Sequence, residues 1–581
     1  MPETGGACVS CLKRTRHQDW QWLPTAGESL SFQGLLVSDS TPASQHPSSR
    51  TAFLCVLAAG LVLRLFYFVG VSGRDDVDYY NYVLQVLDGT FSTSIVADGS
   101  FPFRFRIGLI YPTAAMFRVF GISEYTAAVL PLLSSLGLIW LCWAGGRRIS
   151  ESTGLLAALL MATFPLSIRL STSLMPGSFA AFFSGLSIIW WLNTEDTERA
   201  QRAGSRGINI RYFCAGVCLG LGYFYRIEVG LFILFFIGFA AANRRAWRGC
   251  VLALTGAAAV VVVENLVYWG LHGELLYRLK AVSGGFAGLD KQLSEYVAEK
   301  KSVFVYAKAI FLKPTDLGLH WAAILPAAIW CVFSRRTNRL PILLWFWPVA
   351  LYLFYGSWSL SSYVPTTKNP RYLINVSVPG IILLASLIDQ LRQSGRVKKT
   401  LGNLSLAGIV VGSLLLANLV FAYMRENSSG SRIAAHYIRQ QELEQGTSAA
   451  ATGPVWTGHH SALALRCFLP HRDIRPVYKH DISFGLSRVD VQPEDIRTGI
   501  VVADGFVIKK YVRHTGMKPP AYLMNPPSDW KTIYQAPHPT DGFAFDVVRL
   551  ISRAAGGRLS GPEQSLEATP VIIYEPQTSG N

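Results

Sequence analysis

Residues 51–71 read TAFLCVLAAGLVLRLFYFVGV, and residues 72–89 continue SGRDDVDYYNYVLQVLDG. The first stretch carries a single charged side chain, Arg64, and matches the roughly 20 apolar residues that cross a bilayer core. The second places Asp75, Asp76 and Asp78 in one short window directly after it. A bilayer-length run ending in a carboxylate cluster decides two things. The chain enters a membrane, and its first chemistry-bearing side chains stand at the membrane's edge.

The rest of the chain agrees. Its 581 residues are 50% hydrophobic and only 15% charged, against about 25% charged in soluble globular chains. Further spans are predicted at 124–144, 153–173, 176–192, 212–225, 227–243, 249–271, 317–333, 340–356, 371–388 and 401–423. A shorter run at 107–121 contains Pro112 and Arg118 and reads either as a crossing or as a re-entrant segment. The expected fold is an α-helical polytopic membrane protein of about 11–13 transmembrane helices, followed by a small α/β domain outside the membrane. Residues 1–50 read as a polar cytoplasmic leader, 424–555 as the soluble domain and 556–581 as a flexible tail.

The net charge of +16 does not imply nucleic acid, because of where the cations lie. Arg244, Arg245 and Arg248, then Arg335, Arg336 and Arg339, then Arg392, Arg396, Lys398 and Lys399 occupy short loops between apolar runs. That pattern keeps Lys and Arg in the cytoplasm and orients the helices. With an odd number of crossings it places three loops outside, 72–106, 272–316 and 357–370, together with the soluble domain. The second of these spaces Leu293, Tyr296, Val297, Val303, Phe304, Ala307 and Phe311 as in a helix lying on the membrane surface. In the tail, SRIAAHYIRQQELEQ reads as helix, and GIVVADGFV and GFAFDVVRLI read as strands.

Clustered carboxylates raise one another's pKa, which suits a general base, and Tyr79, Val83 and Val86 after them make one face of a partly buried helix. An acidic residue also stabilises a helix N-terminus, a purely structural role open to Asp78. Arg104 and Arg106 in the first outer loop, and Lys368, Arg371 and Tyr372 at the start of a late span, fall on the same side. Each cation alone reads as an interfacial anchor. Together with the aspartates they suit a transferase whose donor is a lipid phosphate: cations hold the leaving phosphate while a carboxylate takes the proton of an acceptor hydroxyl.

The order of these features resembles the GT-C glycosyltransferases, membrane enzymes that use polyprenyl-phosphate sugars and include the protein O-mannosyltransferase and lipid A aminoarabinose transferase families. Asp75, Asp76, Tyr79 and Gly89 fit the family's acidic pair, aromatic and glycine. Arg106, Pro112 and Gly121 fit its next landmark, and Arg371, Tyr372, Leu373 and Pro379 its late RY-L-P helix start. The resemblance spans 51–423 and implies an inverting sugar transfer from a polyprenyl-phosphate donor to a protein, glycan or lipid acceptor. It makes Asp75, Asp76 and Asp78 the catalytic candidates, with Asp76 or else Asp75 as the general base, and Arg104, Arg106, Lys368, Arg371 and Tyr372 the phosphate-binding candidates. It also implies an integral protein of the cell membrane if bacterial, or of the endoplasmic reticulum if eukaryotic. Where the family often has a second acid, Gly177 stands, so no cofactor is assigned, and a divalent metal held between loops is an alternative that lacks this second carboxylate.

Other features carry less. Arg64, Arg169, Glu264 and Glu228 are ionisable groups within or beside spans, functional by default in a bilayer, with Arg226 a structural partner for Glu228. Cys8/Cys11 is a lone CxxC, His436, His459 and His460 lack metal spacing, and Asn427 opens a glycosylation sequon. The reading from another class is a transporter or flippase for a lipid-linked sugar or an anion, which requires charges in the middles of several spans.

Overall fold

A computed structural model describes residues 47–73, 75–94, 103–201, 206–282, 302–312, 314–334, 337–357, 366, 368–446, 453–478, 491–509, 519–538, 543–554 and 569–577. Residues 1–46 of the leader, with Cys8/Cys11, and much of the 272–316 and 357–370 loops lie outside these residues, while the leader's last four residues open the first helix.

The helices in chain order are α1 Pro47–Phe66, α2 Asp75–Leu87, α3 Ile107–Phe120, α4 Glu124–Arg147, α5 Glu151–Ala162, α6 Pro165–Leu170, α7 Gly177–Gln201, α8 Arg206–Tyr225, α9 Ile233–Ala242, α10 Trp247–His272, α11 Gly318–Phe333, α12 Leu340–Tyr355, α13 Ile374–Gln393 and α14 Arg396–Gln445. Among the described residues, five segments are long and apolar enough to cross a membrane: Ser49–Phe66, Glu124–Arg147, Arg244–His272, Pro370–Gln393 and Arg396–Ala422. This is an integral membrane protein. Its innermost helix is α13, almost wholly buried from Leu373 to Ala385, and it packs on α4, α5, α7, α11, α12 and α14.

Two spans differ from expectation. The 153–173 run is not one helix: α5 ends at Thr163 and α6 restarts at Pro165, since proline suits the first turn of a helix but not its interior. The 107–121 run is the 14-residue α3. At about 1.5 Å per residue it reaches roughly 21 Å, short of the ~30 Å hydrocarbon thickness.

The charges inside the body are matched. Arg64 is fully buried and donates to Ser135 Oγ at 2.8 Å, Ser167 Oγ at 2.9 Å and the carbonyls of Gly60 and Ala162 at 2.9 and 3.2 Å. Arg169 pairs with Asp316 at 2.5 Å, and Arg278 with Glu264 at 2.5 Å. These are the span charges that the transporter reading draws on, and each is held by hydrogen bonds or an ion pair within the body. Glu264→Gln should therefore lower stability by about 3 kcal/mol, because it leaves the Arg278 guanidinium buried without its carboxylate. Thermal unfolding in detergent measures this, and Glu264→Leu combined with Arg278→Met should recover much of the loss.

α14 runs unbroken for 50 residues, roughly 75 Å at 1.5 Å per residue, so the expected boundary at 424 falls inside a helix. Its upper part carries the C-terminal domain, made of β1 Val455–Thr457, α15 His459–Phe468, β2 Ile474–Pro476, β3 Ile500–Asp504, β4 Trp530–Ala536, α16 Phe543–Ala554 and β5 Val571–Pro576. The sheet order is β2-β1-β3-β5-β4; β1 is parallel to β2 and β3, while β5 is antiparallel to β3 and β4. Two expectations are corrected here. GFAFDVVRLI is not a strand but lies largely in α16, whose buried Phe545 is drawn against the chain near Ala422. The tail expected to be loose contains β5, whose Val571, Ile573 and Tyr574 are buried in the sheet.

Candidate active site

α2 begins at the aspartates because an acidic first turn complements the helix dipole, and it stays because Tyr79, Tyr80, Tyr82 and Val83 are buried on its inner side. The three carboxylates then diverge. Asp76 is buried and folds back, accepting from the Ser72 amide at 2.5 Å and the Ser72 hydroxyl at 2.8 Å. Asp78 is half-buried and, with Asp76, faces Cys467, whose thiol is pushed up first by burial and then by these charges. Asp75 turns the other way and accepts from Arg371 at 2.6 Å.

Arg371 lies in the short helical turn Pro370–Leu373 that leads into α13, capped by Asn369 Oδ1 accepting from the Arg371 amide at 3.2 Å. Beside it stands Arg226, in extended backbone ahead of the turn Ile227–Phe232. Its guanidinium pairs with Glu228 at 2.7 Å and lies 4.1 Å over the Tyr372 ring. Arg106 precedes α3 and rests on the rings of Tyr79 and Phe103, each at 5.3 Å. Among the described residues no carboxylate forms an ion pair with Arg106. Burial, then Arg226 and Arg371, pushes its guanidinium down to about 9, so an anion arriving there would be favoured.

These three arginines, from three separated parts of the chain, line one small recess together with Leu170, Met175, Pro176 and Gly177. Gly177 is the first residue of α7, so the positive end of that helix meets the same space. A Cβ at Gly177 would lie 3.3 Å from both Ile374 Cγ2 and Leu170 Cδ1, which leaves little room for a longer side chain there. The arrangement is a cationic recess backed by two carboxylates, Asp75 and Glu228.

Of the sequence candidates, the structure brings Asp75, Arg106, Arg371 and Tyr372 together here. Arg104 is elsewhere: it lies over Tyr82 and donates to the Ser92 carbonyl at 2.8 Å, holding the segment that follows α2. Lys368 is buried outside the pocket lining, and burial lowers its ammonium. Sequence reasoning gave Arg226 a structural pair with Glu228, which exists, but did not place it in the site. It also missed the α7 N-terminus, although Pro176-Gly177 marked a helix start. Among the described residues no group of three or more His, Cys, Asp or Glu side chains gathers to hold a metal ion.

Residues 107–269 match the family model of the dolichyl-phosphate-mannose-protein mannosyltransferases. Among solved structures, ArnT from Cupriavidus metallidurans in the apo state is 16% identical, with 81% of this chain and 95% of that chain covered at a TM-score of 0.50. The same protein bound to undecaprenyl phosphate is 15% identical over 80% and 95% of the two chains, again at 0.50. The archaeal oligosaccharyltransferase AglB from Archaeoglobus fulgidus, solved with an inhibitory peptide and a dolichol-phosphate, is 12% identical over 91% and 88%, at 0.49. No curated protein sequence matches this chain. The family match covers about a quarter of the chain, and the chain shares its overall fold with ArnT.

Proposed function

We propose that this chain is a glycosyltransferase of the GT-C class that moves a sugar, a hexose such as mannose or a modified pentose, from a polyprenyl-phosphate carrier to a hydroxyl of a protein, glycan or lipid acceptor on the extracytoplasmic face. The observation that carries the proposal is the recess where Arg106, Arg226 and Arg371 meet the α7 N-terminus, with Asp75 hydrogen-bonded to one of the three arginines. The undecaprenyl phosphate bound in the ArnT structure of the same fold supports a lipid carrier.

The donor phosphodiester carries one negative charge, and the departing polyprenyl phosphate gains a second. Guanidinium groups fixed in advance at that position therefore stabilise the transition state more than the bound donor. In the proposed step the Asp75 carboxylate takes the acceptor O–H proton as the oxygen attacks C1 of the sugar. The C1–O bond to phosphate breaks on the opposite side, and its electron pair leaves with the phosphate. One displacement inverts the configuration at C1. Arriving phosphate draws on Arg371, which loosens its hold on Asp75 and makes that carboxylate a better base. Asp76, held by Ser72, shapes the turn instead of reacting.

The test incubates the purified protein in nanodiscs with radiolabelled polyprenyl-phosphate hexose and pentose donors, using native membranes as the acceptor source. Release of free polyprenyl phosphate with label moved to a membrane product is expected from at least one donor. No release from any of them overturns the proposal.

A further inference from the structure

The turn that carries Asp75 into place is held from far away in sequence. Residues 67–73 join α1 to α2 with no helix of their own beyond the α1 end. The Val69 amide donates to Thr172 Oγ1 at 2.9 Å, and the Val71 amide to Glu124 Oε2 at 3.4 Å. The carbonyls of Val69 and Val71 both accept from Arg432, at 3.2 and 3.3 Å. Arg432 also forms a two-pronged pair with Glu124, at 2.7 and 2.6 Å. Between the two valines Gly70 adopts φ +61, and a Cβ there would run into the Glu124 carboxylate, so the packing admits only glycine.

Arg432 stands on the part of α14 above the membrane spans, where the C-terminal domain is fastened. Its guanidinium lies 4.7 Å from the Phe468 ring at the end of α15. One turn below, Ser429 Oγ meets His538 Nδ1 at 2.6 Å, and His538 Nε2 faces Asp504 at 3.5 Å, all three buried. A single side chain thus touches the C-terminal domain, the start of α4 and the backbone that leads through Ser72 and Asp76 to Asp75.

We infer that Arg432 is a positioning residue: it fixes the Val69–Val71 backbone through Glu124 and so couples the seating of the C-terminal domain to the placement of Asp75. The inference rests on the reading of Asp75 as the base. Arg432 does not line the cationic recess, so its loss moves the base and leaves phosphate binding alone. A misplacement of about 1 Å at a reacting group costs on the order of 100-fold in rate.

The test compares wild type, Arg432→Ala, Arg432→Lys and the charge swap Arg432→Glu with Glu124→Arg, in full-length protein. It reads turnover as release of polyprenyl phosphate, affinity for undecaprenyl phosphate as the probe, and hydrogen exchange over residues 67–76. Arg432→Ala should lose about 10- to 100-fold in turnover, bind undecaprenyl phosphate within about twofold of wild type, and exchange faster across 67–76. Lysine, with its charge but not its fork, should fall between, and the swap should recover part of the loss. Wild-type turnover in Arg432→Ala overturns the inference, and so does an equal loss of binding and turnover. If the alanine variant does not fold, the lysine variant is read by the same criteria. Asp75→Asn measured alongside separates the two readings: undiminished turnover there removes the base assignment, whereas exchange over 67–76 still reports whether Arg432 holds the turn.

Discussion

Asp75→Asn should reduce turnover by about 10³-fold, within the range of 10²–10⁴ that a positioned general base contributes. The protein should still fold and still bind undecaprenyl phosphate, because the amide oxygen keeps an acceptor toward Arg371. Only the ability to take a proton is lost. Asp76→Asn should behave differently, although it is the next residue and part of the same acidic motif. Its amide oxygen can accept from the Ser72 amide, and the Ser72 hydroxyl can turn to accept from the new NH₂. A loss of about tenfold or less is expected, of the size of one weakened hydrogen bond. Turnover in the two single variants, measured with saturating donor, decides between the neighbours. Full activity in Asp75→Asn with none in Asp76→Asn would reverse the assignment.

Arg226→Ala should weaken polyprenyl phosphate binding by about 10- to 100-fold, since a hydrogen bond to a charged group contributes about 1.5–3 kcal/mol. Its removal also leaves Glu228 facing the recess without its partner at 2.7 Å, which adds repulsion toward the phosphate. Turnover at saturating donor should fall as well, because the departing phosphate draws on this guanidinium more than the bound donor does, but by less than in a variant that also releases Asp75. Arg371→Ala should impair both quantities, since that guanidinium lines the pocket and holds Asp75 at 2.6 Å. The comparison is therefore diagnostic: both variants lose affinity, and Arg371→Ala loses more turnover because it also releases Asp75. Arg226→Lys should recover affinity only in part, because a single ammonium replaces a planar fork that also lies over Tyr372.

The membrane class was legible in the apolar runs, and the meeting of Asp75 with Arg106 and Arg371 followed from asking which residues share one side of the membrane. Arg226 escaped because an arginine two positions from a glutamate satisfies a local explanation, and sequence spacing does not show what lies across from it. The α7 N-terminus escaped because a backbone dipole has no side-chain signature. The continuity of α14 runs against local propensity: the ENSSGS segment, residues 426–431, is rich in poor helix formers, and an interior glycine costs about 1 kcal/mol. Packing decides there, with Asp504 pressed so close to Gly430 that no side chain fits between them. β5 was missed because its partners, β3 and β4, lie well upstream and no hairpin turn announces it. The α16 segment was misread as a strand because a short apolar run has no clear period until its packing face is known.

The carrier phosphate is expected between three arginines at the start of α7, within reach of the Asp75 carboxylate. The most direct measurement is a cryo-electron microscopy structure of the full-length protein in nanodiscs with undecaprenyl phosphate. The predicted result is phosphate density within about 3–4 Å of the Arg106, Arg226 and Arg371 guanidinium groups, the distance of charge-assisted contact, with its lipid chain leading out toward the bilayer. Phosphate held at another site, with this recess unchanged, would contradict it.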